Sequence, residues 1–170
     1  MIGDGEILAW HEIEGTMTGK KYADLVDDHI APAFDTLKER AQGTDKRRVM
    51  YQRDGDPKRG TRALNGEGRL AEERHGIRAG RTLNEQPGDS PDVNLLDYWM
   101  WDRIVKKMNT WLAEKLKEDP DWEETKDEFR ARLRETAFSI PASDIRKAMG
   151  SMVRRCKELA NGDGNYIKGD

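Results

Sequence analysis

Apolar residues recur along this chain in two rhythms. Residues 6–14 (Glu-Ile-Leu-Ala-Trp-His-Glu-Ile-Glu) are apolar with polar interruptions, which predicts a strand closed by Gly15. Residues 1–5 read as a frayed start. Tyr22, Leu25, Val26, Ile30, Phe34 and Leu37 then recur at helical spacing, so a helix capped by Thr16 or Thr18 is expected. Pro32 falls inside that helix. It predicts a kink or restart near Ala31, because proline has no N–H to give and its ring crowds the preceding turn. After a polar connection, Val49, Met50 and Tyr51 predict a short strand over 47–53, ended at Asp54 by Gly55 and Pro57. Residues 61–75 read as a helix stopped by Gly76, and 77–83 as a weak strand.

The second half is helical in pattern. A Pro/Gly loop carrying Asp89 and Asp92 gives way at Asn94 to the firmest helix, running to about residue 117. Leu95, Leu96, Tyr98, Trp99, Trp101, Ile104, Val105, Met108, Trp111, Leu112 and Leu116 form its broad apolar face. Aromatic residues at this spacing read as core before they read as a base-stacking platform. Pro120 ends that helix. Trp122, Phe129 and Leu133 mark another over 122–134, broken at Ile140-Pro141. Ser143 can cap a last helix, in which Ile145, Met149, Met152, Val153, Cys156 and Leu159 alternate with basic residues and which Asn161-Gly162 closes.

Composition narrows the class. With 170 residues the chain can build one domain with a real core, and 37% charged against 35% hydrophobic residues makes it highly solvated. No apolar run reaches the length of a membrane span, so no membrane partner is expected. The single Cys156 excludes an internal disulfide framework and a cysteine-rich zinc site, and an intracellular compartment fits. His11, His29 and His75 are far apart in sequence and show no metal-ligand spacing. The net charge of -3 does not advertise a nucleic-acid binder, but its distribution is uneven. Residues 46–81 hold eleven Lys/Arg against five Asp/Glu, and Lys46, Arg48, Lys58, Arg59 and Arg62 surround Asp54. Such a basic surface around a carboxylate suits a phosphodiester backbone, although a solvated charged face has the same composition.

The acids are the candidate chemistry. Asp54 follows a predicted strand and Asp97 sits in the first turn of the predicted long helix. Strand ends in α/β folds are usual ligand positions, yet Asp also simply starts turns. Likewise Asp97, three residues after Asn94, completes a capping-box-like helix start without any chemistry. Both readings stay open for each residue.

Several motifs together resemble a known family. Gly15-Thr16-Met17-Thr18-Gly19-Lys20-Lys21-Tyr22, Tyr51-Gln52-Arg53-Asp54-Gly55-Asp56-Pro57 and Ser90-Pro91-Asp92-Val93-Asn94-Leu95-Leu96-Asp97 occur in order, followed by Gly162-Asp163-Gly164-Asn165-Tyr166. In this series the chain is similar to the catalytic domain of mariner-like transposases, in the DDE/DDD superfamily of ribonuclease H-like integrases. The Ser-Pro-Asp block is the most specific of the set. The resemblance implies DNA cleavage and strand transfer, with Asp54 as the second and Asp97 as the third catalytic carboxylate. Together they would hold Mg²⁺ (or Mn²⁺), hard cations that prefer oxygen ligands. It also implies DNA as partner and the nucleus as location.

The departures from the family pattern shape the expectations. The family's first aspartate and its helix-turn-helix region have no match here, and Asp4 does not replace the former. Gly55, Asp56 and Lys58 stand where Asn, Ala and His are usual. The resemblance therefore implies an α/β fold, a ribonuclease H-like mixed sheet with flanking helices, incomplete at its N-terminal edge and helix-rich in its C-terminal half. It would be a single partial domain with a core at about 6–117 and a helical extension at about 121–162. An open sheet edge implies marginal stability or self-association as a homo-oligomer. Two carboxylates instead of three imply an inactive chain. The alternatives are a non-catalytic nucleic-acid-binding module and an unrelated helical interaction protein.

Overall fold

A computed structural model describes residues 1–41, 49–52, 66–77 and 91–162. The chain divides into two compact units, Met1–Asp89 and Ser90–Asp170.

The first unit opens with a tight hairpin. Strands β1 (Ile2–Gly3) and β2 (Glu6–Ile7) pair antiparallel, with Ile2 opposite Ile7 and Gly3 opposite Glu6. Asp4 and Gly5 form the turn with φ of 51° and 81°. Asp-Gly is a favoured pair for a two-residue turn because both positions need positive φ. This start is thus ordered by its turn residues, not frayed.

Thr18 accepts a hydrogen bond from the Lys21 N–H and starts helix α1 (Gly19–Leu25). The helix passes through one wide π turn, Val26–Ile30, into α2 (Ala31–Arg40). The Ala31 N–H reaches back to the Val26 carbonyl, five residues away. Pro32 lies in the first turn of α2. The wide turn relieves the crowding that the proline ring imposes, so the expected kink takes the form of a π bulge. Helix α3 (Glu67–Arg74) follows Gly66 and is stopped by Gly76, both at positive φ. Tyr22, Val26, Ile30, Ala31, Phe34, Ala71 and Ile77 make the buried core, with Val49 and Tyr51 packed against it.

In the second unit a 3₁₀ turn (Pro91–Val93) and a π turn (Leu96–Met100) lead into α4 (Trp101–Glu118). Helix α5 (Lys126–Phe138) begins later than the apolar pattern indicates. Its start is fixed by a full capping box, in which Thr125 and Glu128 bond each other's backbone N–H. Helix α6 (Ala142–Asn161) follows Pro141, with Ser143 already inside its first turn. Met100, Ile104, Met108, Ala137, Ile140, Ile145 and Ala148 are its unit's main buried residues.

The expected α/β ribonuclease H-like mixed sheet is overturned. Among the described residues the only sheet is the β1–β2 hairpin, and helices make up most of the rest. The physical reason is pairing. Residues 8–14 continue the apolar strand pattern, but among the described residues no strand pairs with them beyond Ile7, and the Leu8 and Ala9 N–H groups turn to the Met1 carbonyl. At the second predicted strand, Tyr51 makes an isolated bridge and Val49 and Tyr51 serve as packing for a helical core. Residues 47–48, 53 and 78–83 of the predicted strands lie outside the described residues.

Candidate functional site

The Pro91–Asp97 segment is built around Asn94. Its Oδ1 accepts from the Leu96 N–H at 3.2 Å, while its carbonyl accepts from the Asp97 and Tyr98 N–H groups at 2.9 and 3.0 Å. Its Nδ2 donates to Asp97 Oδ2 at 2.6 Å. Asn94 therefore satisfies orphan donors of the helix start and fixes the Asp97 carboxylate beside it. Asp97 is exposed. One of its oxygens is committed to Asn94, and as an ionised carboxylate it has further acceptor sites for water or a cation. The expected capping box is not formed: Asp97 accepts from the Asn94 side chain, the Asn94 N–H goes to the Pro91 carbonyl, and the capping side chain is that of Asn94.

The residue after it anchors the site. The Tyr98 hydroxyl donates to the Ala148 carbonyl of α6 at 2.7 Å and lies 3.5 Å from Ser151 Oγ. The buried Arg155 guanidinium sits 4.2 Å from the centre of the Tyr98 ring, a cation–π contact. The turn bearing Asp97 is therefore fastened to the middle of α6.

A metal pair requires convergent ligands. Among the described residues no group of three or more His, Cys, Asp or Glu side chains is placed to hold a cation. Asp54, Lys46, Arg48, Lys58, Arg59 and Arg62 lie outside the described residues, so only Asp97 of the expected site is located. Asp4, in the hairpin turn, pairs with Arg40 at 3.5 Å. No described helix is long and apolar enough to cross a membrane.

Other constellations were not legible in the sequence. His11 and His29, which spacing gave no reason to join, bring their rings to 4.5 Å centre to centre. Asp27 receives Arg74 at 2.7 Å and His75 Nε2 at 2.8 Å. In the second unit Arg132 grips Glu124 through both ends, at 2.6 and 2.5 Å, and lies 4.5 Å from the centre of the Trp111 ring. Trp111 meets Trp122 edge-on at 5.3 Å. The Arg132 hydrogen bonds hold the Glu124 carboxyl below the usual carboxylate range, and hydrogen bonds from Thr125 do the same for Glu128. These groups join α4, α5 and their connection, and the geometry is that of a structural clamp.

No protein-family model, curated protein sequence or solved structure matches the chain.

Proposed function

We propose that this chain is a transposase-derived, nucleic-acid-associated domain that binds DNA without cutting it. The observation that carries the reading is the Ser90–Asp97 block. Its acid, Asp97, stands exposed at a helix start, held by the Asn94 of the same motif. The motifs at 15–22 and 51–57, which precede it in the same sequence order as in the family it resembles, support it. So does the Thr18 cap, which starts a helix that buries Tyr22, the last residue of the first motif.

Strand cleavage by the two-metal route asks for about three carboxylates around the reacting phosphate. Asp97 could contribute one ligand to Mg²⁺ or Mn²⁺, and Asp54 a second. Two such ligands leave both affinity and geometry short of what an in-line displacement needs, which is why binding without turnover is the better reading.

Incubation of the full chain with a labelled terminal-repeat duplex and Mg²⁺ or Mn²⁺ tests this. The expected result is retention of the duplex in a gel at low salt, with no cleavage product. Robust cutting that vanishes in Asp54→Ala would overturn the inactivity, and no retention at any salt would overturn the nucleic-acid assignment.

One observation favours a second reading, a helical interaction protein. Trp101, Val105, Trp111 and Leu116 of α4 are all substantially exposed. Sedimentation of the full chain separates the two: concentration-dependent association with no affinity for DNA supports the second reading alone.

A further inference from the structure

We infer that α6 is a DNA-contacting element, its exposed Arg146, Lys147, Arg154 and Lys157 forming a stripe for the phosphate backbone of a duplex. This inference rests on the nucleic-acid reading above and assigns it a surface that the basic 46–81 segment does not include.

Helix α6 is two-faced. Ile145, Ala148 and Arg155 are buried, and Met149, Met152 and Leu159 are half-buried beside them. On the other side Arg146, Lys147, Gly150, Val153, Arg154 and Lys157 are all exposed. At 3.6 residues per turn, positions 146, 150, 153 and 157 fall in one row, with 147 and 154 alongside. The row from 146 to 157 runs about 16 Å at 1.5 Å per residue, long enough to follow several phosphates of one strand.

The charges on this face are largely uncompensated. The two acids of α6 are Asp144 and Glu158. Asp144 lies 3.9 Å from Arg103, and Glu158 pairs with Arg154 at 2.9 Å. Arg146, Lys147 and Lys157 have no acidic partner among the described residues. In a chain whose net charge is -3, such a concentration of cations on one helix face is a local reversal of sign.

Gly150 sits in the middle of the stripe. A glycine inside a helix is unfavourable relative to alanine. A Cβ built there would meet nothing within 4 Å, so no internal packing requires its absence. A bare backbone at that point lets a sugar-phosphate chain come close. The platform is fixed from behind, because the Tyr98 hydroxyl and the Arg155–Tyr98 stack hold the buried face of α6.

The test uses the full chain and a fluorescein-labelled duplex, followed by anisotropy over a range of salt concentrations. The quadruple variant R146Q/K147Q/R154Q/K157Q keeps helix-forming side chains and removes four charges. It is expected to lose at least tenfold in affinity, and its log K against log salt slope should be shallower by about 3.6, at about 0.9 per phosphate contact. Gly150→Leu is expected to weaken binding while raising thermal stability, which keeps the inference testable should the quadruple variant fail to fold. Wild-type affinity and slope in the quadruple variant, or wild-type affinity in Gly150→Leu should the quadruple variant fail to fold, would overturn the inference while leaving the nucleic-acid reading intact. No binding by the unsubstituted chain would remove that reading, and this surface with it. Retention of the chain by anionic vesicles at salt where duplex no longer binds would overturn the inference by assigning the stripe to a lipid surface.

Discussion

Tyr22 donates its hydroxyl proton to Glu72 Oε1 at 2.8 Å, joining α1 to α3 inside the core of the first unit. Both residues are buried, Glu72 completely. A carboxylate taken out of water is tolerated only where donors meet it. The bond therefore secures the contact between two helices that lie far apart in sequence. Tyr22→Phe keeps the ring and removes the donor. It is expected to cost about 1–3 kcal/mol, the range for leaving a buried polar group short of a partner. Urea unfolding of the full chain checks this through a lowered midpoint; an unchanged midpoint would show that the contact adds nothing.

The helix start at Asn94 should be more sensitive than the acid it holds. Asn94→Ala removes the side-chain acceptor used by Leu96. A loss of about 0.5–2 kcal/mol is expected, as for other N-caps. Asp97→Ala, at an exposed position, should stay within about 0.5 kcal/mol. Thermal melts of the two variants side by side give the comparison. The reverse order would make Asp97 a structural residue first.

Acid should loosen the clamp between α4 and α5. Glu124 and Glu128 both have lowered pKa values, the first through Arg132 and the second through Thr125. A carboxylate whose folded pKa is depressed stabilises fully above its unfolded value, about 4.3 for Glu. That contribution disappears as pH falls from there through the lowered folded value. Trp111 lies under Arg132 and against Trp122, so tryptophan fluorescence reports the change. Glu124→Gln is expected to be less stable near neutral pH and to show a flatter acid transition. Identical acid profiles would remove Glu124 from the explanation.

Helical elements were the legible part of this sequence. The apolar rhythm through Tyr22, Val26, Ile30 and Phe34 placed one buried face, and Thr18, Gly76 and Gly162 marked helix ends where the structure has them. A helix satisfies its own backbone, so local pattern is enough to place it. A strand does not, and the apolar run at 6–14 yields only Glu6–Ile7 because pairing is a property of the fold and not of the segment. The Asp4-Gly5 pair is itself a turn signal, and it orders a start that composition alone describes as frayed. Thr125 and Glu128, a capping box, were likewise a better mark for the start of α5 than Trp122. At the site, Asp97 was legible through its motif. The Tyr98–Ala148 anchor and the one-sided charge of α6 needed the packing of the helices to become visible.

The salt dependence of duplex binding by the full, unsubstituted chain tests the nucleic-acid assignment most directly. Binding at low salt should weaken linearly in log K against log salt, with a slope of about -3.6 or steeper, since each phosphate contact adds about -0.9. The duplex should be recovered uncut after incubation with Mg²⁺. No measurable binding at low salt, or a slope near zero, would contradict the assignment.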